Sequence, residues 1–259
     1  MSGRKPEIVG NYEILGSEAV TRREVLILGA AAATTLYGAA GKAASPGGAG
    51  TGAAPYLAKE FGYLLGKGMD GFSANQLKQH FQLYNGYVTK SNSIRQELKQ
   101  ASLEGANATF SPFRELLVEE SYALNGVVYH ELYFGNLGGE GGEPAGELEA
   151  AIGGAFGSAG KFMDYLKAAG KAARGWVVVG YNLRIGEICA YALDLHNLWV
   201  PAAVVPLLVL DVYEHAYMID YGIDRGAYLD AFVKNLDWKA VSRRFSGAIK
   251  HRTGLDCTA

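Results

Sequence analysis

The chain has 259 residues and a mass of 27.6 kDa, enough for one large domain or two small ones with a sizeable core. Hydrophobic residues make up 49% and charged residues 19%, which is typical of globular proteins and excludes disordered, fibrous and disulfide-dense classes. The 24 Lys and Arg residues nearly balance 26 Asp and Glu, and this net charge of −2 argues against a nucleic-acid partner.

The N-terminal segment, 1–43, is predicted to be a targeting signal rather than part of the folded domain. Thr21 and the pair Arg22-Arg23 precede an uncharged apolar run, Val25 to Ala40, that is shorter than the roughly 20 residues of a membrane span. Such an arrangement resembles a twin-arginine export signal of bacteria. The alternative is an uncleaved N-terminal anchor. With the signal removed, we expect no membrane span and a periplasmic or secreted protein.

The rest of the chain is predicted to contain two domains. Residues 44–54 lack periodicity and indicate a flexible linker, so the folded part should begin near Pro55. A helical domain, 55–140, precedes an α+β domain, 141–251. The last residues, 252–259, form a tail.

Two long helices are predicted in the first half, as a helical hairpin. One spans 72–100 with Ser73 as its N-cap, and the other spans 111–137 and opens with Ser111 and Pro112.

The second half changes from a helical to a strand period. Its three apolar runs are of strand length, and the first two are separated by a turn short enough for an antiparallel hairpin. Helices are predicted at 147–157, 160–172, 213–221 and 227–245, and strands at 176–181, 187–193 and 204–210. Helices followed by a small antiparallel three-stranded sheet packed with helices indicate the α+β class.

Several polar residues occupy positions suited to metal chemistry. Asp211 ends a predicted buried strand and His215 follows four residues later, although a capping Asp with a hydrogen-bonded His is an alternative. His80, Tyr84 and Tyr87 share one helical stripe, which is also compatible with an ordinary core.

The segment D-V-Y-E-H-A-Y-M, which begins at Asp211, resembles the signature D-x-W-E-H-A-(F/Y)-(F/Y) of the iron/manganese superoxide dismutases. Tyr213 replaces the signature Trp, and Met218 replaces an aromatic residue. Further family-like motifs follow the family order: GGEPAGELEAAIGGAFGS (141–158), Gly175-Trp176, the PLL before Asp211, and Asp237-Trp238. The resemblance covers about residues 55–246.

The resemblance implies one iron or manganese ion per subunit, held by three histidines and one aspartate. The matching positions are His80, His130, Asp211 and His215. Imidazole and carboxylate ligands without a thiolate suit either metal.

The resemblance also implies a set of polar and aromatic residues around the metal. Tyr87 matches the gateway tyrosine, Trp176 matches one aromatic wall, and Tyr213 would replace a second wall residue. Iron-type members often carry a Gln at the position of Gly126, which places a polar side chain near the metal. Other members supply a Gln or His for this role from the sheet half, and His196 matches that position. The hydroxyl of Tyr213 should make the pocket wetter or differently hydrogen-bonded.

Tyr84 is assigned to the same surroundings, although the spacing from His80 to Tyr87 is one residue shorter than the family norm. Glu214, which in the family reaches the ligand histidine of a neighbouring subunit, predicts a homodimer.

The implied activity is superoxide dismutation, an antioxidant reaction that converts superoxide into oxygen and hydrogen peroxide. The metal would alternate between two oxidation states, with protons supplied through Tyr87 and His196. The alternative is a structural or interaction protein that keeps the fold and the metal but has lost turnover, and the changes at Tyr213, Met218 and Tyr84 would support it.

Overall fold

Two long helices make up most of the first half, as predicted. The computed structural model describes residues 55–198 and 200–254, so the predicted export signal and linker lie outside the described residues. Helix α1 is Ala74–Gln100 and helix α2 is Pro112–Phe134. The side chains of Ser73 and Ser111 accept hydrogen bonds from backbone N–H groups in the first turn of each helix, so both predicted N-caps are confirmed.

The second half is a small sheet covered by helices. Helices α3 (Glu147–Phe156) and α4 (Ala159–Ala172) precede strands β1 (Trp176–Asn182), β2 (Glu187–Leu193) and β3 (Val204–Asp211). The strand order is β2-β1-β3, and both pairs are antiparallel. The predicted α+β class is confirmed.

The predicted helix 213–221 is wrong in detail, because the chain forms a 3₁₀ turn at Glu214–Ala216 and then a one-turn helix, α5, at Met218–Tyr221. Tyr217 separates the two with a φ angle of −145°, outside the helical range. His215 therefore lies in a short 3₁₀ turn and not in a regular α-helix.

The predicted helix 227–245 is two helices, α6 (Arg225–Lys234) and α7 (Trp238–Gly254). The break occurs because the backbone at Asn235 to Asp237 bonds to another segment. The Asp237 N–H donates to the Asn136 carbonyl at 2.7 Å, and Leu236 forms an isolated antiparallel bridge with Leu137. These long-range bonds outweigh the local helical pattern.

A continuous core joins the two halves of the described chain, which covers 55–198 and 200–254, in one compact unit. The side chains of Trp176 to Val179 in β1 and of Leu207 to Leu210 in β3 are buried, and α2 packs against β3. Asp211, at the end of β3, therefore lies next to the helical half. Across 55–198 and 200–254, no helix is both long enough and apolar enough to cross a bilayer.

Candidate metal centre

The four residues predicted to bind a metal lie together in the structure. Each offers one ligand atom, and these atoms all lie within 4.8 Å of one another. His80 comes from the second turn of α1, His130 from the end of α2, Asp211 from the end of β3, and His215 from the following 3₁₀ turn. We call these four residues the ligand group.

The three imidazoles converge on one carboxylate oxygen. Asp211 Oδ2 lies 3.2 Å from His80 Nε2, 3.1 Å from His215 Nε2 and 3.7 Å from His130 Nε2. The other carboxylate oxygen, Oδ1, accepts a hydrogen bond from the Tyr213 backbone N–H at 3.0 Å. This bond fixes the carboxylate so that Oδ2 faces the histidines.

His130 shows most clearly that the group fits a metal ion. Its Nδ1 lies 2.6 Å from the Gly126 carbonyl, which can only accept, so the ring proton is on Nδ1 and Nε2 carries a lone pair. Within the described part of the chain, that buried Nε2 has no hydrogen-bond partner. Leaving such an atom unsatisfied costs about 1–3 kcal/mol, and coordination of a cation removes the cost.

The protonation states also suit a cation. Burial lowers the pKa of His80, and it lowers the pKa of His130 well below its usual range. For Asp211, burial alone would raise the pKa, but interactions with His215 and His80 outweigh burial and lower it. Neutral imidazoles and an ionised carboxylate are the forms that bind metals, and this nitrogen-rich set fits one iron or manganese ion.

The ligand group is closed on one side and open on the other. At most 1% of the side chains of His80, His130 and Asp211 is exposed, whereas 31% of His215 is exposed. A recess of about 550 Å³ lies outside His215, and its lining includes Lys171, Arg174, Tyr213, Glu214 and Arg225. The three cationic side chains in this lining favour the approach of an anion.

A second group, which we call the His196 network, comprises Tyr87, Trp176, His196 and Tyr213. Trp176 Nε1–H donates to His196 Nδ1 at 2.8 Å, so neutral His196 carries its proton on Nε2. This Nε2 lies 2.8 Å from the Tyr87 hydroxyl oxygen and donates to it. Burial lowers the pKa of His196 to about 4, so the imidazole is neutral near pH 7.

Gly126 makes room for Tyr87. A Cβ atom at this position would lie 2.7 Å from Tyr87 Cδ1, closer than packing permits. With Tyr87 in this position, no larger side chain fits at residue 126, and the imidazole of His196 is the polar group that reaches Tyr87.

Aromatic rings form two walls around the ligand group. The Trp176 ring lies 5.0 Å from the His130 ring at 88°, and the Tyr213 ring stacks on His215 at 5.4 Å and 16°. The Tyr213 hydroxyl donates to the Asp194 carbonyl at 3.1 Å, so this wall is tied to the loop that carries His196. An indole has no hydroxyl with which to make this bond.

Comparison with known proteins agrees with this geometry. Residues 144–244 match the iron/manganese superoxide dismutase C-terminal domain. The chain is 41% identical over 194 residues to the iron superoxide dismutase of Aquifex pyrophilus, which covers 73% of this chain and 91% of the relative. The chain belongs to the iron/manganese superoxide dismutase family.

The chain is similar both to relatives named as iron enzymes and to relatives named as manganese enzymes. An iron superoxide dismutase of Cupriavidus metallidurans is 37% identical over 188 residues, covering 70% of this chain and 92% of the relative. A manganese superoxide dismutase of Mycolicibacterium smegmatis is 33% identical over 181 residues, covering 68% and 85%.

Tyr84, which the family resemblance assigns to the surroundings of the metal, has hydroxyl partners outside the ligand group. Its hydroxyl donates to Glu131 Oε1 at 3.0 Å and accepts from the Lys59 backbone N–H at 2.8 Å. Burial, followed by smaller effects that include the Glu131 hydrogen bond, raises the pKa of Tyr84 to about 12. Its ring lies 6.4 Å from the His130 ring, so the aromatic ring is near the ligand group. The Glu131 carboxylate and the Lys59 backbone amide therefore fix the direction of the Tyr84 hydroxyl.

Three residues that support the site had not been predicted. The buried Gln76 donates from Nε2 to the His215 carbonyl at 2.6 Å and accepts from the Ile219 N–H, which ties the ligand turn to α1. Asn125 donates to the His196 carbonyl at 2.9 Å, and the ring of Tyr122 lies 4.4 Å from the His196 ring. Gln76 lies one helical turn before His80, and that spacing was its only signal in the sequence.

Proposed function

We propose that this protein is a superoxide dismutase that uses one iron or manganese ion per subunit. The single observation that carries the proposal is the buried ligand group, in which His130 Nε2 points inward without a hydrogen-bond partner among the described residues. His80, His130, Asp211 and His215 would hold the ion. When bound, iron or manganese supplies a reversible one-electron change.

The His196 network would hold and donate protons that the reaction consumes. Two superoxide anions and two protons give one oxygen and one hydrogen peroxide. Burial raises the pKa of Tyr87, so its hydroxyl keeps its proton next to the ligand group. The Nε2–H of His196 donates to the same oxygen, and this bond would stabilise Tyr87 after it gives up its proton.

The proposal is tested by superoxide decay in the purified protein reconstituted separately with iron and with manganese, expressed per bound metal ion. We expect fast decay with at least one metal, and we expect His215→Ala to abolish it. His251→Ala, a substitution at an exposed position in α7, is the matched control. Stoichiometric metal without faster decay would refute the dismutase and favour a metal-binding structural protein.

We also propose that the protein is exported by the twin-arginine route to the periplasm or beyond. Arg22-Arg23 and the apolar run after them support this proposal. Expression in bacterial hosts with and without the twin-arginine translocase tests it. The processed protein should leave the cytoplasm only in the first host, and equal export from both hosts would contradict the route.

A homodimer is proposed through the face that carries Glu214 and His215. Glu214 is exposed and lines the recess beside the partly exposed His215, which leaves both side chains available to a second copy. Light scattering at micromolar concentration should give a dimer mass, and Glu214→Ala should shift the equilibrium toward monomer. A wild-type monomer would contradict the proposal.

A further inference from the structure

Gln76 is buried in the first turn of α1, one helical turn before the ligand His80. Its backbone N–H donates to the hydroxyl of the N-cap Ser73 at 3.0 Å, so its side chain leaves the helix from a fixed position. The backbone N–H of Ser73 donates in turn to Asp220 Oδ2 at 2.7 Å. The start of α1 is therefore bonded to the segment that follows β3, which carries another ligand.

The side-chain amide of Gln76 takes the place of a helical hydrogen bond in that segment. In an α-helix, the carbonyl of residue 215 would accept directly from the N–H of residue 219. Here the His215 carbonyl instead accepts from Gln76 Nε2 at 2.6 Å, and the Ile219 N–H donates to Gln76 Oε1 at 3.2 Å. A carbonyl can only accept and a backbone N–H can only donate, so these two groups fix which way the amide is turned.

This insertion accounts for the break in the predicted helix 213–221. The pattern of the segment favours a helix, but the chain forms the 3₁₀ turn Glu214–Ala216 and α5 begins only at Met218. Without the Gln76 amide, the two backbone groups that it separates would be free to bond to each other. Such a bond would draw the 3₁₀ turn into a regular helix.

A change of this kind would move the imidazole of His215. His215 is 31% exposed, so the core fixes it less than the other three ligands, which are at most 1% exposed. Its Nε2 lies 3.1 Å from Asp211 Oδ2, and its ring lies 5.0 Å from the His80 ring. The backbone conformation at residue 215 therefore sets the distance between this ligand and the others.

We propose that Gln76 is a positioning residue that sets the affinity of the ligand group for its metal ion by holding His215 in a non-helical turn. This inference rests on the proposed function only in taking iron or manganese as the natural ion. Gln76 acts through the main chain of His215, and no contact of its own with the ion is needed.

The dissociation constant for Mn²⁺, measured by competition with a chelator, tests this role without turnover. Gln76→Met keeps the length of the side chain but removes both hydrogen bonds. The dissociation constant should rise about 10- to 100-fold, the range for residues that support metal ligands. Gln79→Met is the matched control, because Gln79 is exposed on α1 and bonds to Asn75 on the same helix. An unchanged constant in Gln76→Met would overturn the proposal, even if the metal-free protein became less stable.

The same titration in a His215→Ala background shows whether Gln76 acts through that ligand. The three remaining ligands should bind the ion more weakly, and adding Gln76→Met should then leave the dissociation constant unchanged. An equal effect in both backgrounds would overturn the proposal, because Gln76 would then act through α1 or through packing alone. A protein that shows the expected binding pattern without accelerating superoxide decay would refute the proposed function and leave the role of Gln76 standing.

Hydrogen exchange of the metal-free wild-type protein tests the inserted amide and needs no variant. The side chain of Ile219 is 43% exposed and lies in a one-turn helix, yet its backbone N–H should be protected because Gln76 Oε1 accepts from it. An Ile219 N–H that exchanges as fast as in an unstructured peptide would show that the insertion is absent and would overturn the proposal.

Discussion

The ligand group and the His196 network lie side by side but are supported differently. Three of the four ligands are buried to 1% exposure or less and come from the two long helices and the end of β3. His196 comes from the loop after β2, which is held to α2 by two asparagine side chains, Asn125 and Asn197. The core thus fixes where the ligands lie, whereas a few side-chain bonds decide how the protons around them are arranged. Substitutions should separate the two regions.

The sharpest contrast is expected at Asp211. In Asp211→Asn, an amide N–H₂ or an uncharged oxygen would face the three histidines, and the negative charge that attracts a cation would be lost. We expect bound metal to fall toward zero and superoxide decay to slow by at least about 100-fold, more than losses from supporting residues. Metal analysis and activity assays measure both quantities. Asp230→Asn, at an exposed partner of Lys167, is the control. Full metal content in Asp211→Asn would contradict the assigned role.

His196→Gln should have the opposite profile, with metal retained and activity reduced. The amide can replace one hydrogen bond of the imidazole but not both with the same geometry. We expect superoxide decay per bound metal to fall about 10- to 100-fold, as for residues that support metal sites. Loss of metal in this variant would show that the two regions are not separable.

The buried imidazole of His196 should also make stability depend on pH. Its pKa is lowered to about 4 in the folded protein from an ordinary value of 6.5. As pH falls through about 6.5, the unfolded chain takes up a proton that the folded chain refuses until near pH 4, so the free energy of unfolding decreases in this window and levels off below it. The contribution is roughly 3 kcal/mol at most.

Urea unfolding of the metal-free protein between pH 7 and pH 4 measures this effect. The difference between wild type and His196→Gln isolates His196, because His80 and His130 are present in both proteins. The wild type should lose stability relative to the variant as the pH falls. A difference that does not change with pH would show that His196 is not buried in its neutral form.

Gly126 lies between the two regions, and Gly126→Ala is expected to lower the stability of the protein moderately. The added methyl would lie 2.7 Å from the Tyr87 ring, so Tyr87 must shift and its bond to His196 must lengthen. Such overpacking typically costs about 1–3 kcal/mol. Gly153→Ala in α3 is the matched control, because nothing lies within 4 Å of the added atom and stability should stay equal or rise. Equal stabilities in thermal unfolding would contradict this packing.

Asn125→Ala should have the smallest effect of this series. It removes the hydrogen bond to the His196 carbonyl and should lower the free energy of unfolding by about 1 kcal/mol. Activity should fall by less than in His196→Gln, because the imidazole keeps its bonds to Trp176 and Tyr87. An activity loss equal to that of His196→Gln would show that Asn125 alone holds the loop in place.

Elements with strong local signals were predicted well. Ser73 and Ser111 cap their helices as expected, and the three strands lie within a residue of their predicted ends. The long helix expected at 227–245 failed because Asp237 bonds to Asn136 across the fold. For Tyr84 the helical stripe indicated a face of the helix, whereas Glu131 and Lys59 decided where the hydroxyl points.

The sequence by itself determined the residues of the ligand group and their order along the chain through the family resemblance. It also determined the helices and the strand that carry His80, His130 and Asp211, because hydrophobic period and capping residues are local properties. Only the tertiary structure decided how the residues meet. His80 and Asp211 are 131 residues apart, and Asn125 and His196 are 71 apart. Which donors and acceptors meet at the site follows from the contacts that the fold makes between such distant residues.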